Sequence, residues 1–136
     1  MLIASPVSDE DVQSFAKHAR AVVGQAKRPL VFCTDLRRAR VFPQSVADAL
    51  VWVMRMDNPN SERNGLLLAD RSLFARQVER MRLEAKGANR RAFYQRDELA
   101  AWLEPLLEQP ERERLALFLA EGDGPPSLSP PATPAQ

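Results

Sequence analysis

The sequence predicts an α/β fold: a four-stranded, mostly parallel or mixed sheet with alternating helices, plus an extra C-terminal helix. Three observations carry that expectation. Short apolar runs alternate along the chain with longer stretches whose apolar residues recur at helical spacing. The runs at 30–33 and 66–68 are continuously apolar, as in strands covered on both faces. Glycine, proline and asparagine fall between the segments, where the chain must turn. Such alternation implies right-handed crossovers between neighbouring parallel strands.

Residues 2–4 are a candidate first strand. Ser8, with Asp11 three residues on, reads as an N-cap, and the acids at 9–11 suit the positive end of a helix dipole. The helix that follows carries Val12, Phe15, Ala16, Ala19, Val22 and Val23 on one stripe and ends at Gly24. His18 lies at the edge of that stripe and reads as a partly exposed helix residue, since a catalytic or metal role needs convergent partners.

Residues 30–33 read as a central strand, and Phe42 and Pro43 introduce a second helix with Val46, Ala49, Leu50 and Val53 inward. Residues 58–65, NPNSERNG, are turn chemistry. A strand over 66–68 follows, then a third helix capped by Asp70 or Ser72, with Phe74, Val78, Met81 and Ala85 inward and Gly87 closing it. Residues 91–94 make an edge strand. A fourth helix opens near Asp97 with Leu99, Trp102, Leu103 and Leu106 inward; Pro105 ends or kinks it. Pro110 starts a last helix with Leu115, Phe118 and Leu119 inward, ended by Gly122. The expected organisation is an α/β domain over 1–107, a C-terminal helix over 108–121 and a disordered proline-rich tail over 122–136.

At 136 residues the chain is one domain large enough to bury a core. Nineteen basic against eighteen acidic residues leave a net charge of +1, which argues against nucleic acid as a partner. No run is long and apolar enough for membrane insertion, and the residues before Pro6 are too few for a signal peptide. Cys33 is the single cysteine, so no disulfide closes within the chain; a small buried hydrophobe in a cytoplasmic protein is its expected role.

Catalytic chemistry has little to stand on. The strand-to-helix turns lack the closely spaced glycines of a phosphate loop, one histidine cannot build a hydrolytic triad, and one cysteine with one histidine cannot hold zinc. No metal or cofactor is expected. Asp35 and Asp70 both follow strand candidates and would lie at the ligand-binding edge of a parallel sheet, or would simply cap the turns there.

Arg37, Arg38 and Arg40 crowd the segment after the first covered strand. Arg76, Arg80, Arg82, Lys86, Arg90 and Arg91 enrich the third helix and its exit, as a basic patch or as a solvated face interspersed with Glu79 and Glu84. On the second helix, Val51 and Trp52, with Met56 one turn on, lie off the inward arc and close to Asp48 and Arg55. They form either an exposed apolar strip of the kind that marks contact surfaces or a second buried stripe.

The run VFCTDLRRARVFPQSVADAL resembles the strand, Asp-Leu, loop and helix of STAS domains, the fold of anti-sigma factor antagonists. ERNGLLLADRSLFARQVERMRLEA followed by RRAFYQRDELAAWL is similar to the later strand, helix, short strand and Glu-Leu-x-x-Trp-Leu helix of bacterial STAS-like proteins, so the resemblance covers about residues 1–107. It implies a non-catalytic regulatory module that docks through the second helix and the loop before it. Regulatory members carry a phosphorylatable serine in an Asp-Ser-Ser-Gly-like segment at the start of that helix. Here Pro43, Gln44, Ser45 and Val46 occupy the region, with Ser45 the sole hydroxyl and no acid or glycine beside it.

The expected function is therefore a protein–protein interaction module of a bacterial regulatory system, binding a protein partner or itself as a homodimer through residues 35–56. Its docking residues are Arg37, Arg38, Arg40, Ser45, Asp48, Val51, Trp52 and Arg55, with Ser45 a possible phosphorylation site. The alternative is a small-molecule or lipid carrier with an apolar cavity. A third reading, an enzyme using Asp35 and Asp70, requires a cleft that joins them.

Overall fold

The computed structural model describes residues 2–4, 8–25 and 29–123. Among these, β1 (Leu2–Ala4), α1 (Asp9–Gln25), β2 (Leu30–Arg38), α2 (Gln44–Asp57), β3 (Ser61–Leu67), α3 (Leu73–Ala85) and β4 (Arg90–Phe93) alternate, and α4 (Arg96–Leu103) and α5 (Gln109–Asp123) follow. The α/β class with alternating helices is as expected. The strands lie in sequential order, β1-β2-β3-β4, and every pairing is parallel. β2, β3 and β4 carry the body of the sheet; β1 meets β2 with Leu2 opposite Asp35 and Ala4 opposite Arg38.

Sequential order has a consequence for the layers. Right-handed crossovers between successive neighbours place α1, α2 and α3 on one face of the sheet. The core agrees: Val12, Phe15, Val46, Leu50, Phe74, Val78 and Met81 pack with Leu36, Leu66 and Leu68 from that face. The other face, with Leu67 and Phe93, is covered by Leu99 and Leu103 of α4 and Leu115 and Leu119 of α5. Adjacent leucines 66, 67 and 68 serve opposite layers because strand side chains alternate.

α1 begins as expected, with the Ser8 hydroxyl accepting from Asp11 N at 3.2 Å while Ser8 N donates to the Asp11 carboxylate at 2.8 Å. Its apolar stripe is shorter than expected: Val12, Phe15 and Ala16 are buried, but Val22 is exposed. α3 is capped by Ser72, whose hydroxyl accepts from Ala75 N. At Pro105 the fourth helix stops at Leu103 and passes into a 3-10 turn, Glu104–Leu106.

Two strands are longer than the apolar runs suggested. β2 continues through Thr34–Asp35–Leu36–Arg37–Arg38, expected to be loop, and β3 starts at Ser61, so 61–65 are strand where a turn was expected. The turn chemistry is confined to a 3-10 turn, Asn58–Asn60. β3 pairs on both sides, and paired backbone outweighs the weak strand preference of Ser, Asn and Gly. Gly65 has a further reason: a Cβ there would meet Leu99 Cδ1 at 3.1 Å, so glycine lets α4 lie directly on β3.

At the N-terminal edge of the sheet, Arg90 is buried and its guanidinium ties two helix ends together. It donates to Met54 O of α2 at 3.1 Å, to Lys86 O after α3 at 3.3 Å and to Asn58 Oδ1 at 2.9 Å. Asn58 in turn donates to Ala85 O at 2.8 Å. A cation at two helix C-termini complements both dipoles and satisfies carbonyls that have no intrahelical donor. Gly87, at φ 95°, lies against Asn58 and has no room for a Cβ. Burial lowers the Arg90 pKa and raises that of nearby Asp57, which the Arg90 charge partly offsets.

Arg90→Leu should lower the unfolding free energy by about 2–3 kcal/mol, the scale of lost hydrogen bonds to a buried charge. Arg80→Leu on the exposed face of α3 should stay within about 0.5 kcal/mol. Urea unfolding of both variants checks the difference.

Candidate functional site

In a parallel sheet the strand C-termini and the helix N-termini share one edge, where ligands and partners are usually met. Here that edge is built by the connection from β2 to α2 and the connection from β3 to α3. Between them lies a groove of about 510 Å³ open to solvent, lined by Arg37, Arg40, Val41, Asp70, Ser72 and Leu73 among others. Both connections are pinned. The Gln77 amide clamps the Phe42 backbone, accepting from Phe42 N at 2.8 Å and donating to Phe42 O at 2.9 Å. The rings of Phe42 and Phe74 meet edge to face at 5.2 Å. Arg71 lies over the Tyr94 ring at 4.2 Å, which ties the second connection to the end of β4.

Asp35 is wholly buried, 0% exposed, on the face of β2 that α5 covers. Arg37, two residues on and therefore on the same face, holds it bidentately, Nε to Oδ1 at 3.0 Å and NH2 to Oδ2 at 2.8 Å. The same guanidinium donates to Leu119 O at 2.8 Å and pairs with Asp123 at the end of α5; Asp123 also pairs with Arg96 of α4. Arg38 reaches Glu121 O at 3.3 Å. Gly122 is buried against this pair, and a Cβ would collide with both Asp35 and Arg37. Thus α5 extends two residues beyond the 108–121 span expected of it, and Gly122, expected to end the helix, is its contact point. The tail expected over 122–136 is corrected at its start, since Gly122 and Asp123 are helix; its remainder, 124–136, lies outside the described residues.

The docking residues read from the sequence separate into three groups, with Arg40 apart from them. Arg37 and Arg38 belong to β2 and point their hydrogen bonds at α5, so they are strand residues holding a helix and not members of a flexible loop. Val51 is buried at 6% exposed, which removes it from the docking residues and, of the two readings of that arc, is the buried one. The reason is position: α2 is the middle helix of its layer, flanked by α1 and α3, and buries a wide arc of Val46, Ala47, Leu50, Val51 and Val53.

Ser45, Asp48, Trp52 and Arg55 form the third group. All are exposed, and their spacing of three, four and three residues puts them on one stripe along α2. Trp52 is 54% exposed. Asp48 accepts from Gln44 Nε2 at 2.7 Å, and Arg55 donates to Glu84 O at 2.7 and 3.1 Å, bridging to α3. Arg40 is exposed beyond the end of β2, next to Val41.

Sequence reasoning missed Leu73 and Leu83, exposed at the two ends of an α3 stripe with Arg76 and Arg80 between them. Their three-four-three spacing was the available signal. It also missed that Trp102, half-buried, is flanked by Arg63 at 5.0 Å and Arg91 at 5.2 Å, with Phe93 at 5.4 Å.

Asp35 and Asp70 are not brought together. Asp70 is exposed on the groove wall, whereas Asp35 is sealed under α5 and does not line the groove. His18 is exposed on α1. Among the described residues no three His, Cys, Asp or Glu side chains are placed to hold a metal ion, and no helix is long and apolar enough to cross a membrane. Burial pushes the Cys33 thiol up to about 11. Compared with known proteins, the chain matches no family model, no curated protein and no solved structure.

Arg37→Met should cost about 3–5 kcal/mol, because it leaves the Asp35 charge buried and unpaired. Asp35→Leu with Arg37→Met should recover most of that loss, since apolar replacement of both partners of a buried pair is close to neutral. Chemical denaturation of the single and double variants measures the recovery.

Cys33 should resist alkylation at pH 8 in the folded chain and react quickly in urea. Its raised pKa leaves stability unaffected near neutrality and lowers it as pH climbs from about 9 towards 11, because the unfolded chain gives up the proton first.

Proposed function

We propose that this chain is a non-catalytic protein-interaction module whose docking face is the outer stripe of α2, and that its partner is a second copy of itself. The observation that carries this reading is Trp52, half-exposed at the centre of a stripe on the middle helix, a residue type favoured as an interface anchor. The flanking charges support self-pairing. Asp48 lies four residues before Trp52 and Arg55 three residues after it, so two copies of α2 crossing antiparallel about Trp52 would set each Asp48 opposite the other copy's Arg55. A two-fold interface requires that kind of self-complementarity.

The resemblance to STAS domains belongs to the same reading, as do a bacterial regulatory role and cytoplasmic residence; the succession of strands and helices and the single cysteine support it. Ser45, exposed in the first turn of α2, is a proposed modification site whose phosphate would border the docking stripe. The carrier alternative finds less support, because the groove, though partly lined by Leu36, Val41, Leu68 and Phe74, is open to solvent and does not enclose a ligand.

Light scattering after size exclusion should report a dimer for the wild type and a folded monomer for Trp52→Glu, with circular dichroism unchanged. Asp48→Arg should weaken the dimer at least tenfold, and Asp48→Arg with Arg55→Asp should restore it. A wild type that remains monomeric at high concentration overturns self-association through this face.

A further inference from the structure

The ion pairs at the end of α5 have an arrangement beyond what holding a helix requires. Asp35, with no exposure, fixes Arg37 through both carboxylate oxygens and through Arg37 N at 3.0 Å. Leu119 O accepts from the same guanidinium. The orientation of Arg37 is therefore set by groups other than Asp123. Its remaining NH1 and the NH1 of Arg96, from the start of α4, converge on the two oxygens of the Asp123 carboxylate. That carboxylate is 38% exposed and sits on the last residue of the helix, whereas Arg37 is 17% exposed.

Two guanidiniums from different elements, one of them preorganised by a buried acid, make a receptor for a planar or tetrahedral oxyanion. Arg96 also lies 3.7 Å from the exposed Asp97 carboxylate, so with Asp123 in place two cations meet three carboxylates, and without it two cations and two carboxylates balance.

We propose that Arg37 and Arg96 form an oxyanion-binding site that the chain's own Asp123 closes, and that a phosphate or carboxylate group takes the same place when Asp123 is displaced. Because the internal carboxylate is tethered beside the site, it competes at high effective concentration, and external anions bind weakly to the closed form. The site lies in the layer opposite Trp52 and stands independently of the α2 docking face.

The test is an NMR titration with inorganic phosphate at constant ionic strength, with acetate as a second probe to separate phosphate from carboxylate preference. Asp123→Ala should bind one of the two anions at least tenfold more tightly than wild type, and Asp123→Ala with Arg96→Ala should return to the wild-type level. Hydrogen exchange at the Leu119 amide reports whether α5 stays docked. No gain in Asp123→Ala overturns the proposal, as does a gain that survives Arg96→Ala. Loss of α5 protection in Asp123→Ala overturns it too, because Asp123 is then part of the fold and not a removable occupant.

Discussion

A carboxylate that water cannot reach sits on β2, between β1 and β3, and much of one layer is arranged to keep it paired. Asp35 needs a cation on its own face of the strand, and the side-chain period of two makes position 37 the nearest place for one. Arg37 meets that need only while β2 stays extended to its end, which is why the strand outruns its apolar segment. The guanidinium then has donors to spare, and these take up a carbonyl and a carboxylate of α5. Gly122 completes the contact by leaving space for the pair. Strand length, the seat of the last helix and a buried glycine all follow from one acid.

At the other edge of the sheet a second arginine, this one buried, solves a different problem. Parallel topology gathers helix C-termini there, with carbonyls unsatisfied and dipoles aligned. Arg90 answers both for α2 and α3, with Asn58 as its relay. The two arginines differ in what they neutralise: a full carboxylate charge at one end, partial charges at the other. Arg90 is not available to a partner without loosening two helix ends, and Arg37 offers only the NH1 that Asp123 occupies.

For a protein partner the outside of the α1–α3 layer is the surface left. Sequential strand order makes α2 the middle helix, hemmed in on both sides, so its exposed surface is narrow. The tryptophan rides on a helix that buries an arc of five residues beneath it and whose entry at Phe42 is pinned by Gln77. The surface is thus presented on a rigid support, which reduces the ordering cost of association.

Local signals were enough for the α/β class, the inward residues of α3 and the Ser8 cap; they narrowed the α3 cap to Asp70 or Ser72 and Pro105 to a stop or a kink, and left the structure to choose. Each depends on spacing within one element, which a linear chain displays. The strand identity of 34–38 and 61–65 and the commitment of Arg37 to α5 were not legible, and exposure or burial of Val51 was left undecided. They depend on which element lies next to which: β3 between two partners, α2 between two helices, and residues 35 and 123 brought together across the chain. Periodicity tells a side chain which way to face relative to its own element, whereas burial of a charge is settled by what the fold packs against that face.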